Sequence, residues 1–535
     1  MIRIHDLTLL PGEDESRLRA LAAKRLRIPE ADVLRLELRK KSVDARKKNE
    51  IRVVYTVDAE TRGDERKLLR RGDRKLGPAE DPVYRVPAAA ARPDWRPVVV
   101  GFGPGGMFAA LVLALAGLRP VVLERGRDAE TRRRAVERFW ATGEFDPACN
   151  VQFGEGGAGT FSDGKLNTGI KNERIGWVLR QFAAAGAREK ILYDAKPHIG
   201  TDVLCTVVQN LRRRIEALGG EVRFGCRMTG LRTQDGKLAG VAYERGGKTE
   251  EIAARGVILA VGHSARDTFG ALLALGVPME PKPFSMGVRI EHTQAAIDRA
   301  QYGAAAGMPG LPPADYKLAC RLPDGGSAYT FCMCPGGYVV AAASEEGGVV
   351  TNGMSFADRD GENANAALLV TLRPEDFPDR DVLGGVRWQR EIERAAFRAG
   401  GGSYRAPAQL AGDFLAGVPS TGARSVAPTY RPGVVFGDLR QVLPAKITDT
   451  IAAALPLLDG RLRGFADPDA VLTAPETRSS SPVRIVRDDT FQSALRGLYP
   501  CGEGAGYAGG ITSAAVDGMR CAEALIASLA GGKEG

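Results

Sequence analysis

The stretch that most constrains this chain is Pro97 to Gly126, PVVVGFGPGGMFAALVLALAGLRPVVLERG. Three valines, Val98 to Val100, read as a buried strand that stops at Gly101. Gly101, Gly103 and Gly106, with Pro104 and Gly105 between them, complete a G-x-G-x-x-G turn, and an apolar helical run follows to about Gly117. A second buried strand, Val121 to Leu123, ends on Glu124 and Arg125. This order suits a bound dinucleotide. Gly101 permits the tight turn, Gly103 lets backbone approach a pyrophosphate, and Gly106 lets the helix pack on its strand. The helix N-terminus presents free amides and a positive dipole end to the phosphates. Glu124 is placed to accept hydrogen bonds from the adenosine ribose, which favours a ribose without a 2′-phosphate.

A chain of 535 residues exceeds one core and predicts several domains. The first residues, MIRIHDLTLL, alternate like a strand and lack a signal-peptide pattern, and the longest apolar run is broken by Gly117, Arg119 and Pro120. These features predict a cytoplasmic protein with no membrane span. Its eight cysteines are then expected as thiols, and no C-x-x-C or C-x-x-x-x-C offers a redox disulfide of the reductase kind. Cys320, Cys332 and Cys334 lack a second ligand pair or a nearby His, so apolar thiols are expected and no metal site. H-E-x-x-H, G-x-S-x-G and Walker A patterns are absent, which excludes the commonest metalloprotease, hydrolase and P-loop chemistries.

The net charge is +9, and residues 1–95 carry 23 Lys or Arg against 17 Asp or Glu. This region reads as a β-α-β-β unit: Ile2 to Leu9, a helix over Glu15 to Arg25, then two alternating strands through Leu34 to Leu38 and Ile51 to Val57. KKSVDARKKN is predicted as the basic loop between the last two strands. Without interleaved aromatics to stack bases, a solvated hairpin fits it better than a nucleic-acid grip. LGPAEDPVYRVPAAAARPDWRP reads as a linker.

After the ribose-side strand, Arg132, Arg133 and Arg134 suggest an exposed helix. Asn150 to Gly169, NVQFGEGGAGTFSDGKLNTG, has no helical or strand period, and its glycines suit backbone wrapped closely round a ligand. Ser162, Asp163 and Lys165 offer a hydroxyl, an acceptor and a cation to a pyrophosphate, a ribityl chain or a flavin edge. A helix over Asp202 to Leu218, capped at Thr201 or Asp202, precedes a strand, a small meander and the apolar strand GVILAV. Backbone near Arg227 or Met228 is placed to pair with adenine. Gly262 and His263 follow GVILAV, where a parallel sheet puts its ligand crevice. His263 is a proton-donor candidate, with a structural role as the alternative; His5, His198 and His292 read as structural.

From Val277 the pattern changes to short strands and turns, with FCMCPGGYVVAAAS expected as a hairpin and helices over Glu391 to Ala399 and Ala452 to Leu458. The close returns to dinucleotide-fold grammar: Leu498 to Pro500, then Gly502, Glu503 and Gly504, then Gly509, Gly510 and Ile511 leading into a helix. This ending is similar to that of flavoproteins of the glutathione-reductase type. There an acid meets the ribityl chain, and a helix N-terminus stabilises charge on the reduced flavin.

The segments GEGGAGTFSDGKL (Gly154 to Leu166), GHSARDT (Gly262 to Thr268) and PCGEGAGYAGGI (Pro500 to Ile511) together resemble the bacterial FAD-dependent dehydrogenases or oxidoreductases over nearly the whole chain. The resemblance implies an α/β fold: a Rossmann-like FAD-binding domain of glutathione-reductase type, an inserted β-rich domain and a small α+β N-terminal domain. The expected division is 1–77, a linker at 78–96, FAD-binding parts at 97–276 and 476–535, and the insertion at 277–475. FAD is the expected cofactor. Gly101, Gly103, Pro104, Gly105, Gly106, Glu124, Arg125 and Met228 are expected at its adenosine half, and Ser162, Asp163, Lys165, Gly262, Gly502, Glu503, Gly510 and Ile511 at its flavin half. His263 and Lys165 are the candidates for proton transfer. Many related flavoproteins carry Gly-Asp where this chain has Gly502-Glu503. No second G-x-G-x-x-G unit is present, so NAD(P)H would dock transiently. Expected partners are a small-molecule substrate or an electron carrier. An RNA-directed flavoprotein using the basic N-terminal unit is the alternative, with nucleic acid the weaker of these partners.

Overall fold

The computed structural model describes residues 1–70, 72–90 and 92–530. Five strands form one parallel sheet in the order Leu498–Pro500, Val257–Leu259, Val98–Val100, Val121–Glu124, Glu221–Phe224. Most of their residues are apolar and buried because helices cover one face, and the antiparallel strands Cys226–Gln234, Lys237–Arg245 and Lys248–Ala253, with helix Arg266–Ala274, cover the other. Helix Pro104–Leu115 is buried over nearly its whole length, and helix Ile511–Ala530 lies against it. A Cβ at Gly518 would sit 2.0 Å from the Gly105 carbonyl oxygen, so these helices meet backbone to backbone. The strand Leu498–Pro500 joins a sheet whose other members end at Leu259, and the intervening chain builds most of the second body.

That body is a mixed seven-stranded sheet in the order Ala319–Arg321, Ser327–Cys334, Asn363–Leu372, Phe284–Thr293, Val471–Glu476, Ala406–Leu410, Val434–Phe436. Helix Ala445–Asp459 covers one face, and helix Gly384–Ala399 packs against Ala406–Leu410 and Val471–Glu476. The whole is α/β, with a parallel Rossmann-like sheet and an inserted β-rich domain. The expected hairpin at FCMCPGGYVVAAAS is not formed. Ser327–Cys334 pairs with Asn363–Leu372, whereas Gly337–Ala341 turns away to pair with Thr351–Ser355. Gly336, at φ +48, makes that turn.

The N-terminal sheet has the order Val33–Asp44, Arg52–Thr61, Ile2–Leu9, Leu76–Pro78, the last strand being unexpected. Lys40 and Lys41 belong to Val33–Asp44, so the loop that follows is shorter than its composition suggests. Its charge is largely matched: Arg46 pairs with Asp44, Lys47 and Arg52 with Glu50, and Lys41 with Glu15. The backbone of Lys41 also docks on Tyr193 and Ala195. The segment expected as a free linker is pinned. Tyr84 is buried and donates to Glu523 at 2.6 Å, with Arg174 over its ring. No helix among the described residues is long and apolar enough to cross a membrane.

Candidate functional site

The carboxyl ends of four parallel strands open into one cleft of about 650 Å3, a volume suited to a cofactor. Gly101 to Gly105 border it after Val98–Val100, and Glu124 and Arg125 after Val121–Glu124. Val261 to Ser264 follow Val257–Leu259, and Cys501 to Glu503 follow Leu498–Pro500. Open parallel sheets place ligands at this position, where the chain leaves the central strand toward both sides. The far wall comes from the inserted domain and includes Tyr316, Lys317, Phe331, Cys332 and Asn352.

The glycines divide by physical cause. A Cβ at Gly106 would lie 2.0 Å from the Gly101 carbonyl oxygen, and Gly101 itself sits at φ +96, so the turn's own packing explains both. Gly103 is different. Its φ of −74° suits any residue, and an added Cβ would find only Gly157 Cα, at 3.7 Å. Gly509 has an ordinary φ and would meet nothing within 4 Å. Gly262, Gly502 and Gly510 have left-handed φ values and also face open space. No side chain caps helix Pro104–Leu115. Bare backbone at both ends of the cleft and an uncapped helix start form a cradle that fits the two phosphates and the ring system of FAD. Buried in the same cleft, His263 Nε2 lacks a hydrogen-bond partner.

The segment Asn150 to Gly157 folds back onto the glycine turn. Gly156 N donates to Phe102 O at 2.9 Å, and a side chain on Gly157 would begin 2.9 Å from Gly103 Cα. The organiser of this segment is Arg132, expected on an exposed helix. It is fully buried, and its guanidinium donates to the carbonyls of Asn150, Val151, Glu155 and Gly157 at 2.8–2.9 Å. Burial pulls its pKa down to about 10. Glu155, also buried, accepts from Ala129 N and Arg212 Nε, both at 2.8 Å. Helix Ala129–Thr142 buries Ala129, Arg132, Val136 and Phe139, so the arginine occupies the apolar stripe. Arg132→Lys strands several of these carbonyls and is expected to lower stability by about 2 kcal/mol, read as a urea-midpoint shift with weakened flavin retention.

Glu124 is buried, and its two oxygens accept from Phe102 N, Gly126 N and Gly154 N at 2.8–2.9 Å. A carboxylate has about four acceptor positions, so one remains for a ribose hydroxyl. Glu124 thus also ties the Gly154 segment to the first turn. Arg125 lines the cleft, but its guanidinium is held by Asp267 and Thr268 and lies over Phe153. Pro104, Gly105, Met228, Ser162, Lys165 and Ile511 line the cleft. Gly106 sits behind the turn.

Asp163 is a correction. It is fully buried, does not line the cleft, and accepts from Arg359 and Ser355 of the inserted domain. Burial alone would raise its pKa, but Lys165 and Arg359 outweigh that and hold it at about 2. Because the folded value lies below the ordinary one, this stabilisation is complete above about pH 4 and lost as pH falls through about 2. The titratable part is about 2 kcal/mol. The stability gap between wild type and Asp163→Asn is expected to narrow across that interval in urea unfolding at stepped pH. Thr201 does not cap its helix: its hydroxyl donates to Ser162 O, and the cap position is Gly200. Asp202 accepts from Ala357 N, again across to the inserted domain.

At the end of the cleft beyond Val257–Leu259 and Leu498–Pro500, His263 Nδ1 stands 3.7 Å from Glu503 Oε1. Burial, with Arg478 and Arg266 nearby, holds the imidazole at about 3. Burial raises the Glu503 carboxyl to about 7, with Gly510 N opposing the shift. Of this pair, Glu503 is therefore the group that exchanges a proton near neutral pH, and His263 is neutral there. Lys165 Nζ is buried without a hydrogen-bond partner and lies 3.8 Å from Asp163. His198 and His292 face the carbonyls of Ala357 and Phe465, as structural histidines do.

A second clamp was not visible in the sequence. Arg266, in the GHSARDT segment, and Arg478 both bind the carboxylate of Glu393 at 2.8–3.0 Å, and all three are buried. Glu345 and Gln389 complete the set around Arg266. Arg478 and His263 border the cleft, so this network fixes the inserted domain against the flavin-side wall.

Comparisons with known proteins agree with this architecture. Residues 283–479 match the family model described as FAD-dependent protein, C-terminal domain-like, and residues 1–60 match a domain of unknown function, DUF8436. A Clostridium beijerinckii protein described as uncharacterized is 45% identical over 530 residues, covering 98% of each chain. Among solved structures, a flavin-dependent brominase Bmp2 triple mutant matches at 14% identity and TM-score 0.38, covering 82% of this chain and 81% of that one. The Bacillus halodurans glycerol-3-phosphate dehydrogenase complexed with FAD matches at 12% and 0.35, covering 83% and 65%. With a full-length relative, the matching FAD-dependent domain and a cradle that fits the cofactor, the chain belongs to a family of bacterial FAD-dependent proteins that includes the Clostridium beijerinckii relative, and FAD is its cofactor.

Proposed function

We propose that the protein is an oxidoreductase passing a hydride between flavin N5 and a small-molecule substrate or electron carrier. The observation that carries this reading is the cleft at the ends of the parallel strands, which has side-chain-free backbone at both ends and continues past Glu503 to a wall of the inserted domain. Bound FAD supplies two-electron chemistry. The chain's own residues supply the rest. Gly103 and the uncapped start of helix Pro104–Leu115 hold the pyrophosphate, Glu124 offers its free acceptor position to the ribose, and Met228 borders the adenine end. Gly502, Gly510 and Ile511 border the ring end, where helix Ile511–Ala530 directs its positive end at developing negative charge. Glu503 carries the transferable proton, beside a neutral His263. Lys165 presents a fixed positive charge to the substrate side.

Anaerobic addition of NADH and NADPH to the holoprotein, followed by dithionite, tests the reading. Bleaching of the flavin absorbance by a nicotinamide or by dithionite, and its return with an added acceptor, is the expected result. A flavin that neither reductant bleaches would contradict it.

A further inference from the structure

Strand Ser327–Cys334 loses register with Asn363–Leu372 between Phe331 and Cys334. At this bulge Cys332 adopts φ +44, a left-handed conformation that a non-glycine residue holds only when its surroundings enforce it. The enforcement is visible. Cys332 O accepts from Arg289 Nη1 at 3.0 Å and from Cys334 Sγ at 3.3 Å. Arg289 is itself fully buried and paired with Glu476 at 3.0 Å through two nitrogens. The bulge thereby turns Cys332 toward the cleft, which it lines, while Cys334 stays buried behind it.

We propose that Cys332 and Cys334 are a redox-active dithiol that exchanges two electrons with the flavin, a function beyond the hydride transfer proposed above and resting on it. In the oxidising direction the ionised Cys332 sulfur and the Cys334 sulfur form one S–S bond and the Cys334 S–H bond breaks. The oxidised flavin takes the two electrons and that one proton, so no proton is left over. The reverse direction returns the Cys332 thiolate and the Cys334 thiol.

Three observations support the pair. The Cys334 thiol folds back on the Cys332 backbone, donating to its carbonyl at 3.3 Å, which keeps the two side chains of this Cys-x-Cys bulge next to each other. The neighbouring Cys334 thiol, with Lys165 and Arg289 nearby, brings the Cys332 thiol well below the usual range despite burial, while Cys334 is pushed up. An ionised sulfur facing a cleft and a protonated partner behind it are the attacking and resolving roles of thiol chemistry. Finally, Cys332 lines the same cleft as His263, Gly502 and Glu503.

The test is an anaerobic dithionite titration of the full-length holoprotein after treatment with diamide and desalting. Wild type is expected to take up four electrons per FAD, and Cys332→Ser and Cys334→Ser two each. The tryptic peptide 322–359, whose only cysteines are these two, is expected to be two hydrogens lighter after diamide than after reduction. Wild type that bleaches fully at two electrons and keeps both thiols through diamide overturns the pair and leaves the flavin's redox role intact. A flavin that takes up no electrons overturns the oxidoreductase reading instead. The peptide mass is read on wild type alone and decides the pair even where a serine variant fails to fold.

Discussion

Gly103→Asp is expected to purify as a folded, colourless protein. The backbone at this position, φ −74 and ψ −176, suits aspartate, which is also a favoured helix N-cap. The protein leaves room, with Gly157 Cα the only atom within 4 Å of an added Cβ. The substitution therefore costs the apoprotein little and acts on the ligand, because its carboxylate projects toward the pyrophosphate. At about 4 Å and the effective dielectric of a partly buried site, like charges repel by about 4 kcal/mol, a loss of affinity on the order of a thousandfold. The ratio of flavin to protein absorbance and an FAD titration of the apoprotein measure it. Gly103→Ala, uncharged and smaller, is expected to bind FAD more weakly than wild type but to remain yellow. Full FAD loading of Gly103→Asp would remove the pyrophosphate from this turn.

Glu393→Ala is expected to be strongly destabilising. Burial alone would raise this carboxyl, yet Arg266 and Arg478 hold it far below the ordinary range. Removing it leaves two guanidinium groups, only 1% and 3% exposed, facing each other without their shared anion. Breaking a buried pair in this way costs about 3–5 kcal/mol. Urea unfolding of the apoprotein measures the loss free of cofactor linkage. Because Arg478 borders the cleft, holoprotein of the variant is also expected to release FAD more readily. An unchanged urea midpoint would show that the network is not holding the two bodies together.

The parts of the fold that could be read in advance are those whose physics is local. Val98 to Val100, the glycine turn, the helix after it and Glu124 lie within thirty residues, and each dictates its neighbour's conformation. The return at Leu498 to Ile511 was legible because strand, glycines and small-residue helix again follow one another directly. The residues that were misread act across long separations. Asp163 meets Arg359, and Arg266 meets Glu393 and Arg478, only after the inserted domain has folded onto the cleft.

Arg132 and Glu393 left a trace that helical spacing reveals. Arg132 stands in register with Ala129, Val136 and Phe139, and Glu393 with Trp388, Gln389, Ile392 and Ala396, so each charge sits on a buried stripe. A charge in that register is either an error of the helix reading or a buried partner for distant groups. The reassignment of His263 had no such trace, since its environment is supplied by Arg478 and Glu503, both more than two hundred residues away.

The most direct measurement is a crystal structure of the holoprotein. One FAD per chain is expected in the cleft, with its pyrophosphate against Gly103 and the start of helix Pro104–Leu115 and its isoalloxazine ring between Gly510 and the Cys332 wall. FAD bound outside this cleft, or lying in it with adenine toward Glu503, would contradict the assignment of both ends.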